Sequence, residues 1–493
     1  MQRISITFLA LVALVLAGAS ISAARQPNIV ILLADDLGYA DVGFHGCRDI
    51  PTPNLDALAA SGVRFTNAYV SCPYCSPSRA GLLTGRYQQR FGHEFNPGPH
   101  GEPTSPNVDM SIGLPVAEST IADRLRAAGY ATGLVGKWHQ GVAPKFHPQQ
   151  RGFDEFFGFL GGAHIYQPGL PNVVFPGLQD PAGPAATHAA AGQPALHLPW
   201  TAMFRGTEAV DEPEYLTDAF AREAVSFIDR HQKQPFFLYL AFNASHTPMH
   251  ATDDRLAKFA SVSDPLRRSY CAMTLALDEA IGTVLEKLRS THLEQETLVF
   301  FFSDNGGPTV PRAALNASSN KPLRGSKVAT LEGGIRVPFV VSWKDKLPAG
   351  RVFEQPIIQL DVLPTALAAA GVAAKADWQL DGVDLAPYLT GAKTGPPHEV
   401  LYWRLGQQMA IRHGNWKLVK YATEFAGEKE TTEFSPPRLY DLSADLGETN
   451  DLSGKQPAKV KELTVLWEAW NNTLAAPAWP QRFYAPSRPP AQR

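Results

Sequence analysis

The sequence contains few cysteines and almost no excess of charge of either sign. Its 493 residues include four cysteines, too few to build a disulfide scaffold. There are 44 Lys and Arg residues and 47 Asp and Glu residues, so the formal net charge is −3. This balance predicts no bulk attraction to nucleic acid or to an anionic membrane surface. An anionic ligand would therefore have to be held by a few local Lys, Arg and His side chains.

The first 24 residues have the pattern of an export signal, and the sequence beyond them has no apolar run long enough to span a membrane. A basic start at Arg3 is followed by an apolar run from residue 6 to 21 and by small residues before Arg25. This pattern predicts a secretory signal peptide at residues 1–24. No cysteine follows the apolar run at the position of a lipid anchor. We therefore expect a free exported protein, periplasmic or extracellular.

Two strongly apolar segments are each followed directly by oxygen-bearing side chains. Asn28–Ala34 precedes Asp35 and Asp36, and residues 297–302 precede Ser303, Asp304 and Asn305. Continuous apolar runs of this kind are typical of strands buried on both faces of a parallel sheet. Such sheets bind ligands at the carboxyl ends of their strands. The four ligand candidates carry hard oxygen donors, which suit Ca²⁺ or Mg²⁺ and disfavour zinc; they are Asp35, Asp36, Asp304 and Asn305.

The segment from Ser71 to Arg86 combines a cysteine with the pattern of a helix start. Cys75 stands directly before Ser76 and Pro77, which predicts Ser76 as the N-cap and Pro77 as the first helical residue. Gly85 is a natural end for this short helix. A group at Cys75 would then face the positive end of the helix dipole, which favours an oxyanion ligand. For a lone cysteine, a buried thiol at a helix start would be the better interpretation.

The string Cys75-Ser76-Pro77-Ser78-Arg79, continued as far as Arg86, resembles the signature of the type I sulfatases of the alkaline phosphatase superfamily. The resemblance implies that Cys75 is oxidised to formylglycine (3-oxoalanine) by a formylglycine-generating enzyme. It also implies that the aldehyde hydrate is the nucleophile, that Arg79 braces it, and that Cys75 belongs to the metal site together with the four oxygen ligands. After this conversion, Cys47, Cys72 and Cys271 could form at most one disulfide.

Further strings are similar to other sulfatase motifs. They are Gly136-Lys137-Trp138-His139, the histidine of Asn243-Ala-Ser-His246-Thr-Pro248, and Gly325-Ser-Lys327 leading to Glu332-Gly-Gly334. By this resemblance Lys137 and Lys327 bind the sulfate oxygens, His139 acts as the base at the hydrate and His246 protonates the leaving oxygen. His164 is the candidate for a further sulfate contact. Gln140 and Ser245 depart from the family pattern, since Leu and Pro are common at those positions.

The expected fold is α/β, with a large, mostly parallel mixed sheet flanked by helices, as in alkaline phosphatase. We predict a catalytic domain at residues 25–390 and a C-terminal α+β subdomain at residues 391–493. The subdomain would contain four short antiparallel strands and a covering helix from about residue 458 to 474. Residues 144–213, rich in Gly, Pro, Ala and His, are expected to form a long irregular insertion that builds the substrate mouth.

The predicted function is hydrolysis of sulfate monoesters, with a sulfated polysaccharide or oligosaccharide as the substrate and one divalent metal as the cofactor. The string from Gly152 to Gly158 is also similar to sulfatases that act on amino sugars such as galactosamine 6-sulfate. Two alternatives remain at this point. One is a phosphomonoester or phosphonate hydrolase on the same fold, and the other is a sulfated-glycan-binding protein that has lost turnover.

Overall fold

The structure is a computed structural model that describes residues 25–97, 111–170, 202–428 and 433–480. The predicted signal peptide lies outside the described residues, as do residues 171–201 of the predicted insertion. Among the residues described, no helix has both the length and the apolar character needed to cross a membrane.

Sixteen strands are present in the described ranges. In chain order they are β1 Asn28–Ala34, β2 Val63–Phe65, β3 Ala68–Tyr69, β4 Ala131–Lys137, β5 Glu155–Phe159, β6 Met203–Arg205, β7 Glu208–Val210, β8 Phe236–Ala241, β9 Thr297–Ser303, β10 Phe339–Ser342, β11 Arg351–Phe353, β12 Ile357–Ile358, β13 Val400–Leu405, β14 Gln408–His413, β15 Trp416–Lys420 and β16 Arg438–Asp441. Ten of them form one sheet in the order β11-β2-β10-β9-β1-β8-β4-β5-β6-β7. The five central strands, β9 to β5, run parallel, whereas antiparallel pairs occur toward both edges.

Strand β1 shows why the centre of the sheet is so apolar. It pairs in parallel with β8 on one side and β9 on the other, and all seven of its residues are buried. Ile29, Ile31 and Leu33 belong to the core on one face of the sheet, whereas Val30 and Leu32 belong to the core on the other face. Since successive side chains of a strand point to opposite faces, an unbroken apolar run is needed to fill both cores.

Helices cover both faces of this sheet. Those in the described ranges are α1 Pro53–Ser61, α2 Cys75–Thr84, α3 Ile121–Ala127, α4 Leu216–His231, α5 Asp253–Lys258, α6 Pro265–Ser290, α7 Glu332–Ile335, α8 Val362–Ala369, α9 Ala386–Leu389 and α10 Pro457–Asn471. Helices α4 and α6 pack against each other in one core, and α2, α3 and α8 contribute to the other. The mostly parallel, helix-flanked α/β fold predicted from the sequence is confirmed.

Strands β13 to β16 form a separate antiparallel sheet, which we call the C-terminal sheet. Helix α10 covers one face of it, with Leu463 in a small core shared with Ile411, Leu418 and Leu439. The predicted pattern of four short strands followed by a helix is therefore confirmed.

The prediction of an irregular insertion at residues 144–213 is wrong at residues 155–159, 203–205 and 208–210, which form strands. Glu155–Phe159 is a regular strand that pairs in parallel with β4, and β6 and β7 extend the edge of the main sheet. The glycines on either side of the Phe-rich run at residues 155–159 favour loops when they are considered locally, so the sequence pattern does not predict this strand.

Candidate active site

Four neighbouring strands deliver their polar residues to one edge of the main sheet. Strands β9, β1, β8 and β4 are adjacent and parallel, so their carboxyl ends lie side by side. The candidates that follow or end these strands are Asp304 and Asn305, Asp35 and Asp36, His246, and Lys137 with His139. Helix α2 begins at the same edge with Cys75, and the segment that contains Lys327 completes the group.

The acidic residues form a compact cluster with the chemistry of a hard-cation site. Ligand atoms of Asp35, Asp36, Cys75 and Asp304 all lie within 4.8 Å of one another, and all four residues are buried. The Asn305 amide nitrogen donates to Asp36 Oδ1 at 2.7 Å. The Asn305 Oδ1 atom is buried and, within the described structure, has no hydrogen-bond partner. An orphaned amide oxygen beside clustered carboxylates is what Ca²⁺ or Mg²⁺ would satisfy, so the residues fit the predicted cation.

Three buried cations pair with these carboxylates. Lys137 Nζ lies 2.6 Å from Asp35 Oδ2, and Lys327 Nζ lies 2.8 Å from the Asp36 carboxylate. Arg79 Nη2 lies 2.8 Å from Asp304 Oδ2. Buried ions of opposite sign offset the desolvation cost of one another. All three cations also act electrostatically on Cys75, so an anion bound beside this residue would be attracted to them.

The pKa values of the carboxyl groups reflect this pairing. Burial alone would raise the pKa of Asp35, but Lys137, His246 and Arg79 outweigh it, so the pKa lies below the usual range. Burial and the neighbouring Asp35 raise the pKa of Asp304 despite its contact with Arg79. A bound divalent cation would relieve the repulsion between these two carboxylates.

Cys75 is the first residue of helix α2, with Tyr74 as the N-cap, so the predicted start of the helix at Ser76 and Pro77 is wrong by two residues. The reason is that the Ser76 side chain is engaged elsewhere and Asn96 Oδ1 accepts the Ser76 N–H at 2.9 Å. The predicted end is confirmed, because Gly85 is the C-cap with φ 67°. Burial raises the pKa of the Cys75 thiol to about 12. The unmodified thiol is therefore protonated near neutral pH and is a poor nucleophile.

His246 and His139 approach the cluster from two sides. His246 Nε2 lies 3.6 Å from Asp36 Oδ2, and its Nδ1 donates to the Thr247 carbonyl oxygen at 2.6 Å. Burial and Lys327 lower the pKa of His246. The pKa of His139 lies well below its usual value because of burial and the charges of Lys137 and Arg79. His139 is therefore a neutral imidazole, a form that can accept a proton.

The backbone of His139 is held in an uncommon conformation. Its φ is 56°, in the left-handed region. The Ser76 hydroxyl donates to the His139 carbonyl oxygen at 2.6 Å, and the Gln140 amide nitrogen donates to the same oxygen at 2.9 Å. A Cβ atom on Gly162 would lie 2.7 Å from His139 Nε2, so a glycine there leaves room for the imidazole ring.

His164 lies in the loop after β5. Its Nδ1 is 2.7 Å from the Ile165 carbonyl oxygen, and its ring packs 5.3 Å from that of Phe159. These contacts neither support nor exclude a role in sulfate binding, which stays a prediction. All four cysteines, each of which lies in a described range, are free thiols in this structure.

Several residues that shape the site were not identified from the sequence. The sequence pattern predicts Ser76 as a helix cap and marks Gln140 only as a departure from the family pattern, and His93 belongs to none of the motifs. His93 Nε2 lies 2.7 Å from Ser76 Oγ, and both residues are fully buried. A buried histidine far from any recognisable motif gives no local signal, because its importance arises from contacts between separate segments.

Comparison with known proteins identifies the family. The Sulfatase family model matches residues 27–372.

The chain belongs to the sulfatase family.

N-acetylgalactosamine-6-sulfatase of Canis lupus familiaris is 36% identical over 415 residues, covering 82% of this chain and 74% of the relative. Human arylsulfatase A is 36% identical over 461 residues, covering 88% and 85%. Among solved structures, the complex of Ps i-CgsB with k-i-k-neocarrahexaose has a TM-score of 0.79 at 36% identity and covers 92% of this chain and 95% of that one. The family assignment makes this protein a sulfuric ester hydrolase.

Proposed function

We propose that this sulfatase hydrolyses sulfate monoesters of sulfated carbohydrates, with a formylglycine made from Cys75 as the nucleophile and one divalent cation. The observation that carries the proposal is the setting of Cys75. Its Sγ lies 3.9 Å from Asp35 Oδ1, and the Lys137 and Lys327 charges act on it. A buried, protonated thiol is a poor nucleophile in this position. Once Cys75 is oxidised, however, the aldehyde hydrate would lie beside the two lysines, whose charges attract an anionic substrate.

The bound cation would be held by Asp35, Asp36, Asp304 and Asn305, and it would polarise a sulfate oxygen and favour ionisation of the attacking hydroxyl. The aldehyde hydrate supplies two hydroxyls on one carbon, so one can attack sulfur and the other can later expel sulfate. Lys137 and Lys327 bind the remaining sulfate oxygens through charge-assisted hydrogen bonds. Arg79, paired with Asp304, braces the aldehyde hydrate.

His139 and His246 carry out the two proton transfers of the proposed reaction. His139 is neutral and can take up the proton that the hydrate loses. His246 can donate from Nε2 only as the imidazolium, because its Nδ1–H is held by the Thr247 carbonyl group. Its lowered pKa makes this form the minor one before substrate binds, and it also makes the Nε2 proton a strongly acidic one. His246 donates that proton to the leaving oxygen of the sugar. His164 is kept as a candidate sulfate contact in the same pocket.

The carbohydrate class of the substrate is inferred from the relatives. One is named for N-acetylgalactosamine 6-sulfate, and one solved structure holds k-i-k-neocarrahexaose. Both names point to a carbohydrate ligand, and the buried cations beside Cys75 suit a sulfate ester on such a ligand. We propose export as the setting in which the protein meets a polysaccharide, with a formylglycine-generating enzyme as its maturation partner.

The experiment is measurement of inorganic sulfate and phosphate released from a panel of sulfated glycans and matched phosphate esters. Protein co-expressed with a formylglycine-generating enzyme is compared with the Cys75→Ala variant, and mass spectrometry of the Cys75 peptide reports conversion. Sulfate release that requires both conversion and Cys75 supports the proposal. Release of phosphate alone would favour the phosphohydrolase alternative, and glycan binding without turnover by converted protein would favour the binding-protein alternative.

A further inference from the structure

The segment that carries Lys327 is held by hydrogen bonds to residues that lie outside the main sheet. At its start, Arg324 Nη1 donates to the Glu448 carbonyl oxygen at 2.7 Å. At its end, the Glu332 N–H donates to Glu448 Oε2, also at 2.7 Å. In between, Gln408, the first residue of β14 in the C-terminal sheet, donates to the Val328 carbonyl oxygen at 2.7 Å. Lys327 is therefore flanked on both sides by contacts with the C-terminal part of the chain.

Val328, the residue directly after Lys327, has a strained backbone. Its φ is 75°, a conformation that β-branched residues rarely adopt. Such a conformation is energetically unfavourable and persists only when the surroundings enforce it. Two hydrogen bonds do so here: the Val328 N–H donates to the Pro73 carbonyl oxygen at 2.7 Å, and Gln408 binds the carbonyl group. Since Pro73 lies two residues before Cys75, the same backbone turn joins the nucleophile segment to Lys327.

The Gln408 side chain is itself fixed at both ends. It is fully buried, and its Oε1 accepts the N–H groups of Thr330 at 3.3 Å and Ala422 at 3.2 Å. A buried amide whose donor and acceptor are both used has a single orientation. Its Nε2 therefore holds the Val328 carbonyl group in one place. Together with the Pro73 contact at the Val328 N–H, this fixes the backbone directly after Lys327.

We propose that Gln408 is a positioning residue for Lys327, through which the C-terminal sheet sets the geometry of sulfate binding. This inference rests on the proposed function for the role of Lys327 as a sulfate ligand. It assigns the C-terminal sheet a part in substrate affinity in addition to its packing against the main sheet. Gln408 itself touches no reacting atom.

A matched control exists in the same interface. Gln89 is also fully buried, and its Nε2 donates to the Arg404 carbonyl oxygen of β13 at 2.7 Å. The two glutamines thus make the same kind of contact between the main part of the chain and the C-terminal sheet. The difference is that the carbonyl group bound by Gln408 is adjacent to Lys327. A purely structural role predicts equal effects of substitution at the two positions.

The test compares Gln408→Glu with Gln89→Glu in the converted, metal-loaded enzyme. Gln408→Glu removes the donor and places a carboxylate against the Val328 carbonyl group. We expect the KM for a sulfate ester and the inhibition constant of inorganic sulfate to rise about tenfold, with kcat changed much less. Gln89→Glu should leave both constants near the wild-type values. Gln408→Met, which removes the donor without adding charge, serves if Gln408→Glu fails to fold.

A double-mutant cycle with Lys327→Ala identifies the route of the effect. If Gln408 acts through Lys327, the Gln408 substitution should weaken sulfate binding far less in the Lys327→Ala background, as measured by the shift in Tm with added inorganic sulfate. Equal effects in both backgrounds, or equal effects of the Gln408 and Gln89 substitutions, would overturn the inference. Absence of sulfate release from the wild-type enzyme and from Gln89→Glu would instead contradict the proposed function.

Discussion

The Ser76 hydroxyl donates a 2.6 Å hydrogen bond to the carbonyl oxygen of His139, which joins the residue after the proposed nucleophile to the backbone of the proposed base. Ser76 has one hydroxyl proton, so the 2.7 Å contact with His93 requires His93 Nε2 to be the donor. Burial lowers the pKa of His93 to about 3, so this histidine remains neutral. The chain from His93 through Ser76 to His139 therefore keeps one pattern of donors near neutral pH.

The first prediction concerns this contact. Ser76→Ala should lower kcat about tenfold, because the His139 carbonyl group loses its shortest hydrogen bond and the left-handed backbone at His139 is less well held. Ser76→Thr, which keeps the hydroxyl, should retain most of the activity. The control is Ser71→Ala, which removes an equally buried hydroxyl bonded to Gln88 at 2.7 Å. The interpretation fails if both alanine variants lose kcat to the same extent.

The second prediction tests His246 as the acid. His246→Ala should slow esters with poor leaving groups, such as sugar sulfates, by about 10² or more, because the departing alkoxide then lacks a proton donor. Activated aryl sulfates, whose leaving groups are stable as anions, should lose far less. The measurement is kcat/KM over a series of aryl sulfates of graded leaving-group pKa. An equal loss across the series would remove His246 from this role.

The third prediction concerns the cation. Chelation should lower the Tm by a few degrees, since a cation at about 100 times its Kd contributes roughly 2.7 kcal/mol to stability. Its loss leaves the carboxylates of Asp35, Asp36 and Asp304 facing one another. Added Ca²⁺ or Mg²⁺ should restore the Tm, and calorimetry would show which ion binds more tightly.

A matched pair of variants assigns that effect to the cluster. Asp304→Asn removes one carboxylate and should reduce the response to chelation. Asp41→Asn changes another buried aspartate, one that is paired with Arg267 at 2.8 Å outside the cluster, and should respond to the chelator as the wild type does. A chelation response unchanged by Asp304→Asn would place the cation elsewhere.

The parts of the site that lie at strand ends were predictable from the sequence. A strand buried on both faces needs an unbroken apolar run, and the polar residues that follow such runs meet at one edge of a parallel sheet. This argument brought Asp35 and Asp36 together with Asp304 and Asn305. It depends on local pattern and on sheet geometry alone.

Contacts between distant segments were not predictable in this way. Ser76 and His139 are 63 positions apart, and Gln408 and Val328 are 80 apart. Neither pair produces a periodicity or a composition signal, because each depends on how separately folded elements pack. The same limit explains the helix start: the sequence around Ser76 favours a cap, but tertiary contacts use the hydroxyl elsewhere.

The last prediction concerns the pH dependence of stability. His398, which lies shortly before β13, has its Nε2 2.7 Å from Asp361 Oδ1, and the Asp361 side chain is fully buried. Asp361 also accepts the N–H groups of Ile358 and Val383. Burial would lower the pKa of His398, but the attraction of Asp361 outweighs it, so the pKa of His398 is raised.

A histidine whose pKa is higher in the folded than in the unfolded protein stabilises the fold while it is protonated. This contribution is fully present below the unfolded pKa of about 6.5 and is lost as the pH rises through the folded pKa. His398→Gln should therefore destabilise the protein by about 2 kcal/mol at pH 6, as for a hydrogen bond to a charged group, and by less at pH 9. Denaturant unfolding at both pH values measures this difference. A penalty that is constant with pH would mean that the pair is held by a neutral hydrogen bond, and the assignment of a charged His398 would be wrong.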